Sequence, residues 1–251
     1  MSMGIIVQAR MGSSRMPGKM VRPFFQGRAM LAFLLERVRT DLPHVPLVVA
    51  TTVSSADDLL ADIAGQCGAR VFRGSEMNVL ERFIKTAEEN GFEQIIRVCA
   101  DNPLLDTDAL AQQIRVFEAS GADYWSYCLG DGTPVIRTHY GFWGEGVRLS
   151  ALRAALRDAE DIRHREHVTS YIYTNPGEFQ IHCEPVDPLV ELAAGVRLTV
   201  DTPEDFFLTA EIHEALNEQD IPLTAQDICS FVMQHPDWLY RMKQESVNNE
   251  K

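Results

Sequence analysis

Short apolar runs alternating with helix-length amphipathic stretches constrain this chain more tightly than any other feature. The runs cover residues 4–9, 47–51, 70–72, 95–100, 124–127 and 196–200. Between them, residues 30–39, 57–67, 79–90, 108–119 and 204–216 repeat apolar side chains at helical spacing. That order is the pattern of βα units, and it predicts a three-layer α/β/α sandwich around a mostly parallel sheet. Residues 129–190 break the alternation with Gly, Pro, His and aromatic residues and one helical stretch at 150–157. They read as an inserted lobe that covers a site or forms a subunit interface. A last helix at 225–234 precedes a polar tail at 241–251. One main domain over 1–240 is expected, because a 251-residue chain with 45% hydrophobic content buries a substantial core as a single α/β unit.

The formal net charge is −13, so a nucleic-acid backbone meets general repulsion and nucleic acid is not an expected partner. The five cysteines are odd in number, widely spread and without a Cys-x-x-Cys pair, which argues against a zinc or redox site and for reduced thiols. No stretch approaches the roughly 20 apolar residues of a membrane helix. The four-residue apolar run at 4–7 is far short of a signal-peptide core, and a cytoplasmic protein with no membrane partner is expected.

The segment Gln8-Ala9-Arg10-Met11-Gly12-Ser13-Ser14-Arg15-Met16-Pro17-Gly18-Lys19 follows the first buried run. Ligands of open α/β sheets bind at the carboxyl ends of the strands, so this loop stands where a ligand is expected. Its chemistry suits phosphate. Gly12 and Gly18 allow close backbone approach, Ser13 and Ser14 add hydroxyl donors, and Arg10, Arg15 and Lys19 place three cations within ten residues. It is not a G-x-x-x-x-G-K-[ST] loop, because five residues separate Gly12 from Gly18 and Met20 follows Lys19. With Pro17 and Pro23 disfavouring an early helix, the segment is expected to stay extended until the helix near Met30.

Two further runs end on an acid, at Asp101 before Asn102-Pro103 and at Asp201 before Thr202-Pro203, where Thr202 suits a helix N-cap and Pro203 the first turn. If both strands run parallel to the first, the two carboxylates share a sheet edge with the basic loop. Mg²⁺ is held in this way, by one or two carboxylates together with substrate phosphates. The alternative is that each aspartate merely caps the helix after it. Arg73-Gly74-Ser75 ends a third strand, where a base or ribose could be read; Arg82 follows and reads equally as a surface residue. His164 and His167 form an H-x-x-H pair without the glutamate or the partner of a zinc site. Tyr124, Trp125 and Tyr127 read as core or interface.

These segments resemble the cytidylyltransferases that activate sialic-type and deoxy-octulosonic acids, and look closest to the spore-coat polysaccharide biosynthesis branch. The likeness is carried by residues 8–19, by 71–83 with Arg73-Gly74-Ser75 and Val79-Leu80-x-Arg82, by 97–105, by 164–173 and by Arg197-Leu198-Thr199-Val200-Asp201-Thr202-Pro203-Glu204-Asp205. It implies a nucleotide-diphospho-sugar transferase (Rossmann-like) fold, CTP as nucleotide, Mg²⁺ as cofactor and a homodimer. By the same resemblance Arg10, Ser13, Arg15 and Lys19 hold the CTP phosphates. Gln8, Ala9, Gly12, Ser14, Arg73 and Gly74 complete the nucleotide site, and Asp101 and Asp201 hold the metal. Glu145, Glu166 and Tyr171 line the sugar pocket. Trp143 stands where similar proteins carry an acid.

The implied reaction is in-line attack of a sugar hydroxyl on the α-phosphorus of CTP, with pyrophosphate leaving, for surface polysaccharide or glycan synthesis. Arg15 and Lys19 face the leaving group in this scheme, and no general base is assigned. Two rivals are a glycosyltransferase of the same fold using a nucleotide-sugar donor and a catalytically silent nucleotide-binding protein. Asp101-Asn102-Pro103 lacks the second acid of the Asp-x-Asp motif that the first rival needs.

Overall fold

The computed structural model describes residues 2–249; Glu250 and Lys251 of the expected tail lie outside the described residues. A seven-stranded sheet is built from β1 (Met3–Gln8), β4 (Leu47–Thr52), β5 (Arg70–Gly74), β6 (Gln94–Cys99), β7 (Tyr124–Cys128), β8 (Glu145–Arg148) and β9 (Ile181–Pro185), in the order β5-β4-β1-β6-β8-β7-β9. β1 pairs in parallel with β4 and β6 on either side. Successive side chains of a strand point to opposite faces, and β1 feeds two cores in this way. Ile5 and Val7 pack with α1 (Met30–Asp41), α4 (Thr107–Ser120) and α9 (Pro203–Glu218) through Leu34, Leu110 and Ile212. Ile6 packs with α3 (Val79–Asn90) and α5 (Leu149–Asp158) through Phe83 and Leu152. The expected sandwich is present, completed by α2 (Asp58–Gln66) and α10 (Ala225–Met233).

Five expectations are corrected. Residues 196–200 are buried but belong to no strand: the amides of Leu198 and Thr199 bond the His139 carbonyl and that of Val200 bonds the Asp101 carbonyl. The stretch before α1 is not extended. Lys19–Val21 forms a 3-10 turn, and β2 (Pro23–Phe25) and β3 (Arg28–Ala29) make a hairpin closed by Gln26 and Gly27, both at positive φ. The interrupting region does not merely cover the sheet. It contributes β8, antiparallel between β6 and β7, and the edge strand β9, together with the short helices α6 (Arg163–Glu166), α7 (Ser170–Thr174) and α8 (Pro188–Leu192). β8 fits there because Gly146 lies under Phe117, whose ring a Cβ would meet at 2.7 Å. The chain from Pro236 to Asn248 is helical (α11), anchored by buried Trp238 and Met242. The pairing of β7 with β9 also joins Cys128 and Cys183 in a disulfide, Cα atoms 5.6 Å apart, so the expectation of five thiols holds only for Cys67, Cys99 and Cys229.

His213 of α9 is enclosed by the rings of Phe25 and Phe33, at 4.3 and 4.7 Å, with no hydrogen-bond partner for Nδ1. Burial, aided by the nearby Arg37 charge, lowers its pKa to about 4. An unfolded histidine titrates near 6.5, so between those values the unfolded chain holds a proton that the folded chain does not, and stability falls as pH drops through that window. The melting temperature is therefore expected to fall from pH 6.5 towards 4.5, less steeply in His213→Phe. An equal slope in the two proteins contradicts this.

Candidate active site

The first loop is pinned at both ends. Ala9 donates to the Ala50 carbonyl (3.3 Å), and the Met11 amide donates to Asp57 Oδ1 (2.8 Å). Burial opposes the charge on Asp57, but donors from Thr52, Met11 and Thr51 outweigh it and hold its pKa below the usual carboxylate value. The Met11 carbonyl accepts from Ser13 and Gly18, and Gly18 turns the chain with φ 73°. Ser13 Oγ accepts from the Met16 amide, while Gly12 and Ser14 are exposed.

This turn delivers Lys19 to the interior, 5% exposed. Its Nζ lies 3.3 Å from Asp101 Oδ2 and 3.8 Å from Asp201 Oδ1, and it donates to the Val200 carbonyl. Arg15 Nη2 is 3.2 Å from the same Asp201 oxygen, and its Nη1 donates to Asn249 Oδ1 at the end of α11. Asp201 is brought there by its neighbours, since residues 196–200 lie outside the sheet. Neither aspartate caps a helix. Asp106 caps α4 through the Ala109 amide, and Thr202 and Asp205 form a capping box on α9. Both carboxylates are left for the cleft.

Beneath Asp201 is a charge network that sequence reasoning missed. The fully buried Arg197 grips Asp205 with two bonds (2.7 and 2.8 Å), lies 3.5 Å from Asp201 Oδ2 and meets His139 Nδ1 at 2.8 Å. Asp205 also accepts the amides of Asp201 and Thr202. A second network joins β6 to β8. Arg97 pairs with Glu145 directly opposite it in register, and Tyr124 and Thr169 donate to the same carboxylate. Arg97 also donates to Gln8 Oε1 (3.2 Å). The signal was present in both cases: an arginine inside a buried run is rare unless paired.

A cavity of about 770 Å³ contains Gln8, Arg15, Asp101 and Asp201, and its wall continues through Arg137, Trp143, His164, His167 and Tyr173. Lys19, enclosed at its ion pairs, is not on this wall. A second cavity of about 580 Å³ lies across Trp143 and holds none of the four converging charges. Other expected site residues sit elsewhere. Arg10 pairs with Glu166 (3.3 Å), and Arg73 is tied to Thr52, Ser54 and Asp58, with Gly74 packed against Arg82. Arg82 itself is fully buried, not a surface residue. Glu145 is 1% exposed and lies under the cavity. The Tyr171 hydroxyl faces Glu178, and Tyr173 takes the place on the cavity wall.

Sheet order and the meeting of the first loop with two acids define the class of nucleotide-sugar transferase folds. The chain belongs to the cytidylyltransferase family, whose model matches residues 4–228. It is 34% identical over 237 residues to the spore coat polysaccharide biosynthesis protein SpsF of Bacillus subtilis, covering 92% of this chain and 94% of that one. A cytidylyltransferase structure from Leptospira borgpetersenii superposes with a TM-score of 0.81 at 27% identity, covering 95% and 97%. A CMP:2-keto-3-deoxy-manno-octonic acid synthetase complexed with CTP shares the fold, with a TM-score of 0.63 at 16% identity, covering 88% and 100%.

Removing Arg197 strands a buried carboxylate, a change that costs about 3–5 kcal/mol. Arg197→Met is accordingly expected to lose about 3 kcal/mol or more of unfolding free energy in a denaturant titration. A loss below about 1 kcal/mol contradicts the assignment of Arg197 as the anchor of this segment.

Proposed function

We propose that this protein transfers CMP from CTP to a sugar acid of the nonulosonic or octulosonic type, releasing pyrophosphate, for surface polysaccharide or glycan synthesis. The observation that carries the reading is the meeting of Arg15 and Lys19 with Asp101 and Asp201, where Arg15 and both carboxylates line one cavity and the enclosed Lys19 pairs with the same two acids. Phosphoryl chemistry of this kind asks chiefly for positioning and charge neutralisation. Arg15 and Lys19 face the charge that builds on departing pyrophosphate. Gln8, held by Arg97, and the amides of the pinned loop bound the nucleotide end; Arg137, Tyr173 and Trp143 bound the acceptor end. The acceptor class is supported by the SpsF relative, named for polysaccharide synthesis, and by the octonic acid synthetase that shares the fold.

Mg²⁺ is the cofactor of this reading. Asp101 and Asp201 fit it: both are carboxylates, both face one cation within 3.8 Å, and neither is used as a cap. Bound there it would neutralise triphosphate charge and activate the acceptor hydroxyl. A cytoplasmic homodimer belongs to the same proposal. Among the described residues no helix is long and apolar enough to cross a membrane.

Incubation with CTP, Mg²⁺ and a panel of nonulosonic and octulosonic acids is expected to release pyrophosphate. Asp201→Asn is expected to lower that rate at least about a hundredfold with little change in melting temperature, because Thr202 and Asp205 retain the cap. No release with any acid, or full activity in the variant, overturns the reading.

A further inference from the structure

Lys19 does more here than wait for phosphate. Its ammonium is almost fully enclosed, it spends one N–H on the Val200 carbonyl, and its remaining charge is directed at the two oxygens that fit a metal, Asp101 Oδ2 and Asp201 Oδ1. Asp201 Oδ1 is shared with Arg15 at 3.2 Å. The two anions are thus already matched by Lys19 and Arg15, and Arg197 lies 3.5 Å from Asp201 Oδ2. A magnesium–oxygen bond is about 2.0–2.1 Å long, so a divalent ion on these same oxygens comes within a few ångström of Nζ. Like charges at that range repel strongly in a partly dehydrated cleft. Only an added anion, or departure of the ammonium, relieves this.

We infer that Lys19 and the divalent cation compete for one carboxylate pair, so that metal binds well only with a triphosphate, and Lys19 hands the aspartates over as it turns to the phosphates. This rests on the nucleotidyl-transfer reading of the site and adds an order of assembly to it. Coupling of this kind is reciprocal: whatever factor the nucleotide adds to metal affinity, the metal adds to nucleotide affinity.

The test uses Mn²⁺ alone, titrated into the full chain without nucleotide and followed by electron paramagnetic resonance or calorimetry. Lys19→Met is expected to bind Mn²⁺ at least about tenfold more tightly than wild type, and adding Asp101→Asn to it should abolish the gain. Arg28→Met removes an equal charge from the hairpin that follows the loop, from an exposed cation paired with Glu36, and should change Mn²⁺ affinity less than threefold. Thermal melts report folding, and Lys19→Gln serves in the same comparison if the methionine variant does not fold. Equal or weaker Mn²⁺ binding without the lysine overturns the inference. So does an equal gain in Arg28→Met, or no Mn²⁺ binding by any variant at millimolar concentration. Failure of CTP to bind under all conditions instead overturns the nucleotide reading and leaves the Mn²⁺ comparison standing as measured.

Discussion

A single ammonium holds together parts of the chain that are far apart in sequence. Lys19 lies between Asp101, which follows β6, and Asp201, which precedes α9, and each of its contacts depends on a different piece of fold. The turn that buries it depends on Gly18 at positive φ and on the loop closing at Met11. Asp101 is placed by the parallel pairing of β1 with β6, continued by the bond from the Ala100 amide to the Gln8 carbonyl (3.1 Å). Asp201 is placed by a backbone bond from Val200 to Asp101 itself and by the Arg197–Asp205 grip below it. Loss of any one of these supports removes one of the three contacts of a buried ammonium, Asp101, Asp201 or the Val200 carbonyl.

Where helical period and apolar runs were strong, the fold was legible in the sequence. The boundaries expected for residues 79–90 coincide with α3, and β1, β4 and β6 appear within a residue of their runs at each end. The misreadings have physical causes. Residues 196–200 carry β-branched and apolar side chains because they are buried, and burial alone cannot tell a ladder strand from a segment whose amides are satisfied by loop carbonyls. β9 was invisible because an edge strand with polar and half-exposed residues, Ile181-His182-Cys183-Glu184-Pro185, has no apolar run to report. α11 was hidden by its Gln, Glu and Asn residues, although Trp238 and Met242 sit four apart on its buried face.

The site was legible in its charges and much less so in its walls. Arg15, Lys19, Asp101 and Asp201 were marked by position after apolar runs, and they meet. Their meeting does not require Asp201 to stand at a strand end, which was the geometry first expected. Arg73 could not be resolved from sequence, because whether a strand-end arginine faces a ligand or its own sheet depends on partners such as Asp58 that lie on another element. Trp143, packed with Tyr127, Tyr140 and Phe142, stands between two cavities and gives each of them an aromatic wall.

In the proposed reading the two aspartates and the loop cations form one metal–triphosphate site. Anomalous diffraction from crystals grown with Mn²⁺ and CTP tests it most directly. The predicted result is a manganese peak bridging Asp101 and Asp201, with Lys19 and Arg15 on the β- and γ-phosphates. A nucleotide bound elsewhere, or manganese away from both carboxylates, would contradict it.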